Sequence, residues 1–264
     1  MRRGAIPALA LALLLPALSL AAPSSQDRGV HPRELSGLPS YVKRVEPSIV
    51  GLRVRAPEKA PSSARLGSRR FGSAVIFDAR GYAVTVSYLL LDAASLEARS
   101  RDGRRWEARL IALDLDAGLG VIKLEGAGPW AAAALGKSTD VVTGARTGTV
   151  GVDEDNDLVQ VTGAVHAIQP FSAYWEYMLD RALIVAPASP QWGGSAVVND
   201  RGEVVGIASL RLGEAPHVNL AIPIERFIPV KDELIAAGRI VSRPPRPWLG
   251  LYTVEVQGGV VVSE

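Results

Sequence analysis

The stretch Ala186-Pro-Ala-Ser-Pro-Gln-Trp-Gly-Gly-Ser-Ala-Val-Val-Asn199, followed by Asp200-Arg-Gly-Glu-Val-Val-Gly206, decides how the rest of the chain is interpreted. Its Gly-Gly pair allows the backbone to approach closely whatever lies in front of it. An apolar strand, a polar Asn-Asp-Arg-Gly turn and a second apolar strand follow, which is typical of a β-hairpin. The sequence therefore predicts a loop tip that a hairpin holds in place.

Short strands are predicted along most of the chain. The stretch Phe71-Gly-Ser-Ala-Val-Ile-Phe-Asp-Ala-Arg-Gly-Tyr-Ala-Val-Thr85 consists of two β-rich runs joined by a turn signal. Further strands are predicted at 48–55, 95–99, 106–113, 120–124, 141–150, 158–168, 182–185, 204–210 and 218–222. Turn residues separate them at short spacing, which favours a barrel or sandwich over βαβ units. A helix is predicted between Pro223 and Gly238, with Pro229 delaying its start.

The two quoted stretches resemble the HtrA family of trypsin-like serine proteases. The family's nucleophile loop reads Pro-Gly-Asn-Ser-Gly-Gly-Pro-Leu-Val-Asn, and its first hairpin reads Gly-Ser-Gly-Val-Ile-Ile-Asp-x-x-Gly-Tyr-Ile-Val-Thr. The resemblance covers roughly residues 41–251. It implies an all-β fold, a double six-stranded β-barrel of the trypsin or chymotrypsin type with a C-terminal helix, followed by the start of a truncated PDZ domain.

The resemblance also places the family's catalytic triad on three residues that cannot perform its chemistry. The His position falls on Tyr88 in Thr85-Val-Ser-Tyr-Leu-Leu90, the Asp position on Gly118, and the Ser position on Gly193. A phenol is protonated at neutral pH and is a poor substitute for an imidazole base. The three differences lie in segments that align without gaps, so we interpret the chain as a degenerate member with no catalytic residues of its own.

Three residues are candidates to replace the missing triad members. Asp116 lies two residues from Gly118, which moves a carboxylate about 6 to 7 Å along a strand. A dyad of Ser195 and His217 would need the nucleophile loop in another register. The other two histidines, His31 and His166, have no metal-ligand spacing, and the chain contains no cysteine. We therefore expect no metal and no cofactor.

Two functional interpretations follow from the resemblance. The first is an inactive protein that binds peptides or unfolded proteins or regulates partner proteases, and the second is a serine endopeptidase of protein quality control with a non-standard site. The predicted peptide-binding residues are Gln191, Trp192, Gly193, Trp248, Leu249, Gly250 and Leu251. The aromatic residues Tyr174, Trp175 and Tyr177 either line such a groove or pack onto the barrel. Two oligomeric states are compatible with the resemblance, a homotrimer and a mixed oligomer with active relatives.

Composition and the N-terminus bear on localisation and on partners. Residues 1–22 resemble a secretory signal, with Arg2 and Arg3 before an apolar run. Without those two arginines, 27 basic residues face 27 acidic ones, which argues against nucleic-acid binding. We predict a flexible leader at 23–40, a protease-like domain at 41–240, a linker at 241–247 and a partial PDZ domain at 248–264. This organisation predicts an exported, periplasmic protein without an integral membrane span after signal cleavage.

Overall fold

A computed structural model describes residues 37–172, 177–244 and 252–263 of the chain. The predicted signal segment and most of the predicted leader lie outside the described residues. Within them, the predicted all-β fold is confirmed, because two closed six-stranded barrels account for nearly all of the regular structure.

The first barrel contains six antiparallel strands in the order β1-β2-β3-β6-β5-β4. Their bounds are β1 Ile49–Arg55, β2 Arg69–Asp78, β3 Tyr82–Val86, β4 Ser95–Arg99, β5 Arg105–Asp114 and β6 Leu119–Leu124. Branched and aliphatic side chains alternate toward the interior, where Leu52, Ile76 and Ile122 are fully buried. The outward positions of β1, β4 and β5 carry charged side chains instead.

The second barrel repeats this topology in the order β7-β8-β9-β12-β11-β10. Its strands are β7 Arg146–Val152, β8 Leu158–Ser172, β9 Met178–Ala186, β10 Ala196–Val198, β11 Val204–Leu212 and β12 Val218–Pro223. The strand predicted at 141–150 begins later, at Arg146, because residues 141–145 form a turn in which Ala145 N–H donates to Val142 O. The hairpin predicted after the Gly-Gly pair is confirmed as β10 and β11.

Four short α-helices complete the described fold. They are α1 Ser40–Val45, α2 Ser63–Leu66, α3 Ser87–Leu90 and α4 Lys231–Ala237. Helix α4 begins two residues after Pro229, as predicted, and ends at Gly238 in the left-handed region at φ 68°. Helix α1 was not predicted, because its sequence lies next to a polar leader and is only six residues long.

The barrels meet along β1 and β2 on one side and β7 on the other. Ser73 on β2 joins them twice: its hydroxyl accepts the N–H of Val152 at 3.0 Å, and its N–H donates to Gly193 O at 2.8 Å. The loop tip singled out by the sequence therefore lies at the junction between the barrels.

A two-stranded sheet, β13 Tyr252–Val256 and β14 Gly259–Ser263, ends the described part of the chain. It falls within the predicted PDZ segment, but a single hairpin does not test that prediction. No helix among residues 37–172, 177–244 and 252–263 has the length and apolar character needed to span a bilayer.

Candidate functional site

The loop tip is held against the first barrel by backbone contacts that leave no room for a side chain at Gly194. Gly194 has φ 82° and donates its N–H to Ala208 O at 2.9 Å. A Cβ at this position would lie 1.9 Å from Ser73 O and 2.4 Å from Thr85 Oγ1. Both the backbone angle and the close approach therefore require glycine here.

Tyr88, in helix α3, lies directly in front of Gly193. A Cβ built on Gly193 would be 3.0 Å from the Tyr88 hydroxyl oxygen. That hydroxyl donates to Ser209 O on β11 at 2.8 Å. The guanidinium of Arg70 fixes the same turn by donating to Tyr88 O at 3.1 Å and Leu91 O at 2.6 Å. The structure thus brings together the residues predicted at the base and nucleophile positions.

Gly118, predicted at the third triad position, also lies at this junction. Its carbonyl accepts the N–H of Ser87, the residue before Tyr88, at 2.9 Å. Its φ is 73°, and a Cβ built on it would lie 2.2 Å from the Tyr177 ring. Tyr177 is only 5% exposed. An aromatic ring from the second barrel therefore fills the space beside Gly118.

Ser209 is the point on which both tyrosines converge. Its carbonyl accepts the Tyr88 hydroxyl, and its Oγ is 2.6 Å from the Tyr177 hydroxyl. Ser209 is fully buried, next to a register shift in the pairing of β11 with β12. Both phenolic hydroxyls at the junction thus donate hydrogen bonds to one residue of the fold.

Asp116 and its neighbour Asp114 face another partner. One guanidinium nitrogen of Arg243 lies 2.5 Å from Asp114 Oδ1 and 3.1 Å from Asp116 Oδ2. The second lies 3.1 Å from Asp114 Oδ2. These hydrogen bonds, chiefly those to the buried Asp114 carboxylate, raise the pKa of Arg243. Both carboxylates therefore serve as anchors for the segment after α4.

Ser195 and His217 do not form a catalytic dyad in the structure. Ser195 is fully buried, and its Oγ donates to Gln191 O at 2.6 Å. His217 lies in the turn between β11 and β12, where its Nδ1 is 2.8 Å from Gly213 O. Each side chain satisfies a backbone carbonyl of its own loop, and the described residues show no hydrogen bond between them.

Gln191 and Trp192, predicted to bind peptide, border the junction, and the contacts of both residues are internal to the fold. The Gln191 N–H donates to Ser189 Oγ at 3.3 Å, so a backbone donor two residues before Gly193 already has a partner. The Trp192 ring packs on the apolar core of the second barrel, and Arg211 lies 5.9 Å from its centroid. This arrangement differs from an open oxyanion hole, whose N–H groups must point at the developing charge.

A cleft of about 340 Å³ opens beside Gln191 and Trp192. Its wall combines apolar rings and aliphatic side chains with a few charged groups. Besides Tyr88 and Gly193, the lining residues include Leu66, Arg69, Phe71, Leu89, Pro190 and Trp192. An extended chain could lie here against Tyr88 and Gly193, although no hydroxyl nucleophile faces it from position 193.

The remaining predicted site residues have no described geometry. Trp248, Leu249, Gly250 and Leu251 lie outside the described residues, as do Tyr174 and Trp175. Across the described ranges no group of three or more His, Asp or Glu side chains could hold a metal ion. The role of Tyr177 could be anticipated only as one of two options, and Ser209 carried no sequence signal because a serine inside an apolar strand is common.

Sequence comparison places this architecture in a family. A model described as the trypsin-like peptidase domain matches residues 72–207. A probable periplasmic serine endoprotease, DegP-like, of Ectopseudomonas mendocina is 29% identical over 77% of this chain and 42% of its own length. The serine endoprotease DegS of Escherichia coli K12 is 29% identical over 83% of this chain and 63% of its own. The chain thus spans about half the length of these relatives.

Solved structures agree on the fold. The HtrA-type protease AlgW with a tripeptide superposes with a TM-score of 0.66 at 23% identity, covering 85% of this chain and 76% of that one. The same protease with a decapeptide gives a TM-score of 0.63 at 22% identity, covering 85% and 78%. With two six-stranded barrels, a matching loop tip at their junction and these relatives, the chain belongs to the trypsin-like peptidase family and is homologous to the HtrA-type serine proteases.

Proposed function

We propose that this protein is an HtrA-like pseudoprotease that binds extended peptides or unfolded proteins, or regulates partner proteases, without cleaving them. The observation that carries the proposal is the Tyr88–Ser209–Tyr177 arrangement. By the resemblance, Tyr88 and Gly118 stand at the positions of the base and its orienting carboxylate, and Gly193, at the nucleophile position, supplies no hydroxyl. A fold supports a reaction only where its site is present.

The cleft beside Gly193 supports the binding part of the proposal. Extended peptides bind such sites through backbone hydrogen bonds and side-chain pockets, which require no nucleophile. Residues 209–212 of β11 lie beyond the segment paired with β10 and carry the partly exposed Leu210 and Arg211. Trp192 borders this strand and offers a large apolar contact.

The localisation and assembly are part of the same proposal. The relative from Ectopseudomonas mendocina is named as periplasmic, and residues 1–22 have the organisation of an export signal. We place the protein outside the cytoplasm, in the periplasm, where its proposed partners are unfolded chains and active relatives. A homotrimer or a mixed oligomer with those relatives would provide the regulatory route.

The first test is for chemistry. The protein without residues 1–22 is incubated with unfolded casein and with a fluorophosphonate probe, and intact masses are measured. We expect neither cleavage nor an adduct, because no activated hydroxyl faces the cleft. An active HtrA-type protease under the same conditions provides the positive control. An adduct on Ser195 with casein cleavage would refute the proposal and require a different loop register.

The second test is for binding. Fluorescence anisotropy of labelled unfolded casein should show saturable binding that Trp192→Ala weakens about tenfold, since a buried aromatic anchor commonly contributes this much. Tyr82→Ala, a half-buried aromatic on β3 away from the cleft, is the matched control and should leave the affinity unchanged. Equal affinity for all three proteins would remove the cleft from the proposal.

A further inference from the structure

The outer wall of the first barrel carries a dense group of charged side chains, which we call the arginine face. A cavity of about 890 Å³ runs along β1, β4 and β5, and a second of about 310 Å³ continues across β1 and β2. The arginine face is defined by Arg53, Arg55, Arg69, Arg99, Arg105, Glu97 and Glu107. It lies on a fully paired barrel wall, so its binding capacity resides in side chains.

Like charges stand directly opposite each other on this face. The strand register pairs Arg55 with Arg69, Arg99 with Arg105, and Glu97 with Glu107. Directly opposed like charges destabilise a sheet, whereas opposite charges would stabilise it. A face selected only for stability would interleave the two signs. Arg53 lies opposite Glu97 in the register of β1 with β4, but no ion pair joins these two residues. The three pairs of like charges therefore break a local rule, which is a common property of functional surfaces.

The charged groups of the face are not consumed by ion pairs. Over residues 37–172, 177–244 and 252–263, none of its seven members forms a salt bridge. Arg53 instead lies over the Phe71 ring, 5.4 Å from its centroid, and donates to Glu154 O. Arg99 Nε is buried with no hydrogen-bond acceptor. The nearby turn containing Glu154 adds a carboxylate at one edge, so the face has a modest excess of positive charge.

The pairs form three bands with defined separations. The Glu97/Glu107 band and the Arg99/Arg105 band lie two residues apart on the same strands, about 7 Å. The Arg55/Arg69 band lies two residues further along and two strands across, roughly 12 Å from the glutamates. An extended polypeptide advances about 3.3 Å per residue, so these separations correspond to about two and four residues.

We propose that the arginine face binds an extended segment of a partner protein with the pattern acidic-x-basic-x-x-x-acidic. Its two acidic side chains meet the Arg99/Arg105 and Arg55/Arg69 bands, where guanidinium groups form bidentate hydrogen bonds with carboxylates. Its basic side chain meets Glu97 and Glu107. A nucleic-acid strand fits less well, because its regularly spaced phosphates would meet the glutamate band.

The probe is a fluorescein-labelled peptide, Gly-Ser-Glu-Ser-Lys-Ser-Ser-Ser-Glu-Ser-Gly. Two peptides of the same length serve for comparison, one with glutamate at all three charged positions and one with all three signs reversed. We expect the patterned peptide to bind about fivefold more tightly than the all-glutamate one and at least about tenfold more tightly than the reversed one. Binding should weaken steeply with salt, because the contacts are exposed. Amide shifts in an NMR titration should concentrate on β1, β2, β4 and β5.

Charge-reversal variants test whether the face recognises the order of charges in the peptide or only the net charge of the peptide. Arg99→Glu combined with Arg105→Glu should weaken the patterned peptide about tenfold or more. Glu97→Lys combined with Glu107→Lys should reverse the preference, so that the all-glutamate peptide binds best. Arg146→Glu, an exposed arginine at the start of β7, is the matched control and should change nothing. Thermal melts establish that each variant is folded.

Three results of the binding measurements would overturn the proposal. They are no binding of any peptide at millimolar concentration, equal affinity for the reversed peptide, and displacement of the patterned peptide by duplex DNA with higher affinity. Amide shifts confined to the Gly193 cleft would also reject it, and would leave the peptide-binding proposal for that cleft intact.

Discussion

Polar groups have opposite environments in two regions of the molecule, the junction between the two barrels and the arginine face. At the junction, the hydroxyls of Tyr88, Tyr177 and Ser195 all bond to groups of the fold itself. On the arginine face, four of the seven charged side chains are exposed, three pairs of like charges lie opposite each other, and none of the seven forms a salt bridge within the described residues. The comparison separates a region built for stability from one that gives up stability. It predicts that substitutions will destabilise the protein at the junction and stabilise it on the arginine face.

The largest effect should come from Gly194→Ala. The Cβ would meet Ser73 O at 1.9 Å and the backbone would hold an unfavourable φ, so we expect a loss of about 4 kcal/mol or failure to fold. Gly213→Ala is the matched control, because its φ is 76° but nothing lies within 4 Å of the new Cβ. It should cost only about 1 kcal/mol from backbone strain. Urea unfolding measures both, and equal losses would contradict the close contact.

Gly118→Asp, which restores the family's carboxylate, should destabilise the protein by about 3 kcal/mol. The new Cβ would lie 2.2 Å from the Tyr177 ring, and overpacking adds to the strain at φ 73°. In a double-mutant cycle with Tyr177→Ala, the two losses should be non-additive by at least about 1 kcal/mol, because removing the ring makes room for the aspartate. Strict additivity would show that the ring does not occupy this space.

Tyr177→Phe should cost about 1 to 2 kcal/mol, since it leaves the buried Ser209 Oγ without its partner at 2.6 Å. Tyr88→Phe should cost about 1 kcal/mol, because the Ser209 carbonyl is less deeply enclosed on that side. Tyr82→Phe on β3 is the control and should be nearly neutral. Thermal and urea unfolding of the three variants provide the ranking, and a neutral Tyr177→Phe would refute the structural role of this hydroxyl.

On the arginine face, we expect a substitution to increase the stability of the protein. Arg105→Glu places a carboxylate directly opposite Arg99, and we expect it to stabilise the protein by about 0.5 kcal/mol. Arg146→Glu on the second barrel provides the baseline for a change of two charge units. The gain should shrink in high salt, since the groups are exposed. A destabilised Arg105→Glu variant would show that the arginines already stabilise the barrel wall.

The smallest effect concerns the turn that joins β4 to β5 at the edge of this face. Hydrogen bonds from the Arg104 guanidinium, and then from Ser100, lower the pKa of Asp102 to about 2. Because the folded pKa is lowered, the stabilisation is present above about pH 4 and is lost as the pH falls toward 2. Carboxyl NMR titration should find this value, and Arg104→Ala should raise it. An unchanged pKa in the variant would point to another cause.

The sequence predicted the strands because their alternation reports directly on burial, and it predicted the delayed start of α4 because Pro229 blocks a hydrogen bond. The juxtaposition of Tyr88 with Gly193 was anticipated through the resemblance. The contact between Tyr177 and Gly118 was not, since it joins residues 59 positions apart in different barrels. No local pattern encodes such packing. Likewise, the opposed like charges emerge only from strand register, which spacing alone does not define.

The ion pairs of Arg243 have a mechanical consequence. Arg243 follows the second barrel and α4 in the chain. Its guanidinium nevertheless forms ion pairs with Asp114 and Asp116 of the first barrel. A force applied to the polypeptide beyond Arg243 would act on the turn between β5 and β6 before that force reaches α4. Tension from the C-terminal side would therefore load both barrels together. Single-molecule stretching of Arg243→Ala should show the helix detaching at lower force than in the unaltered protein.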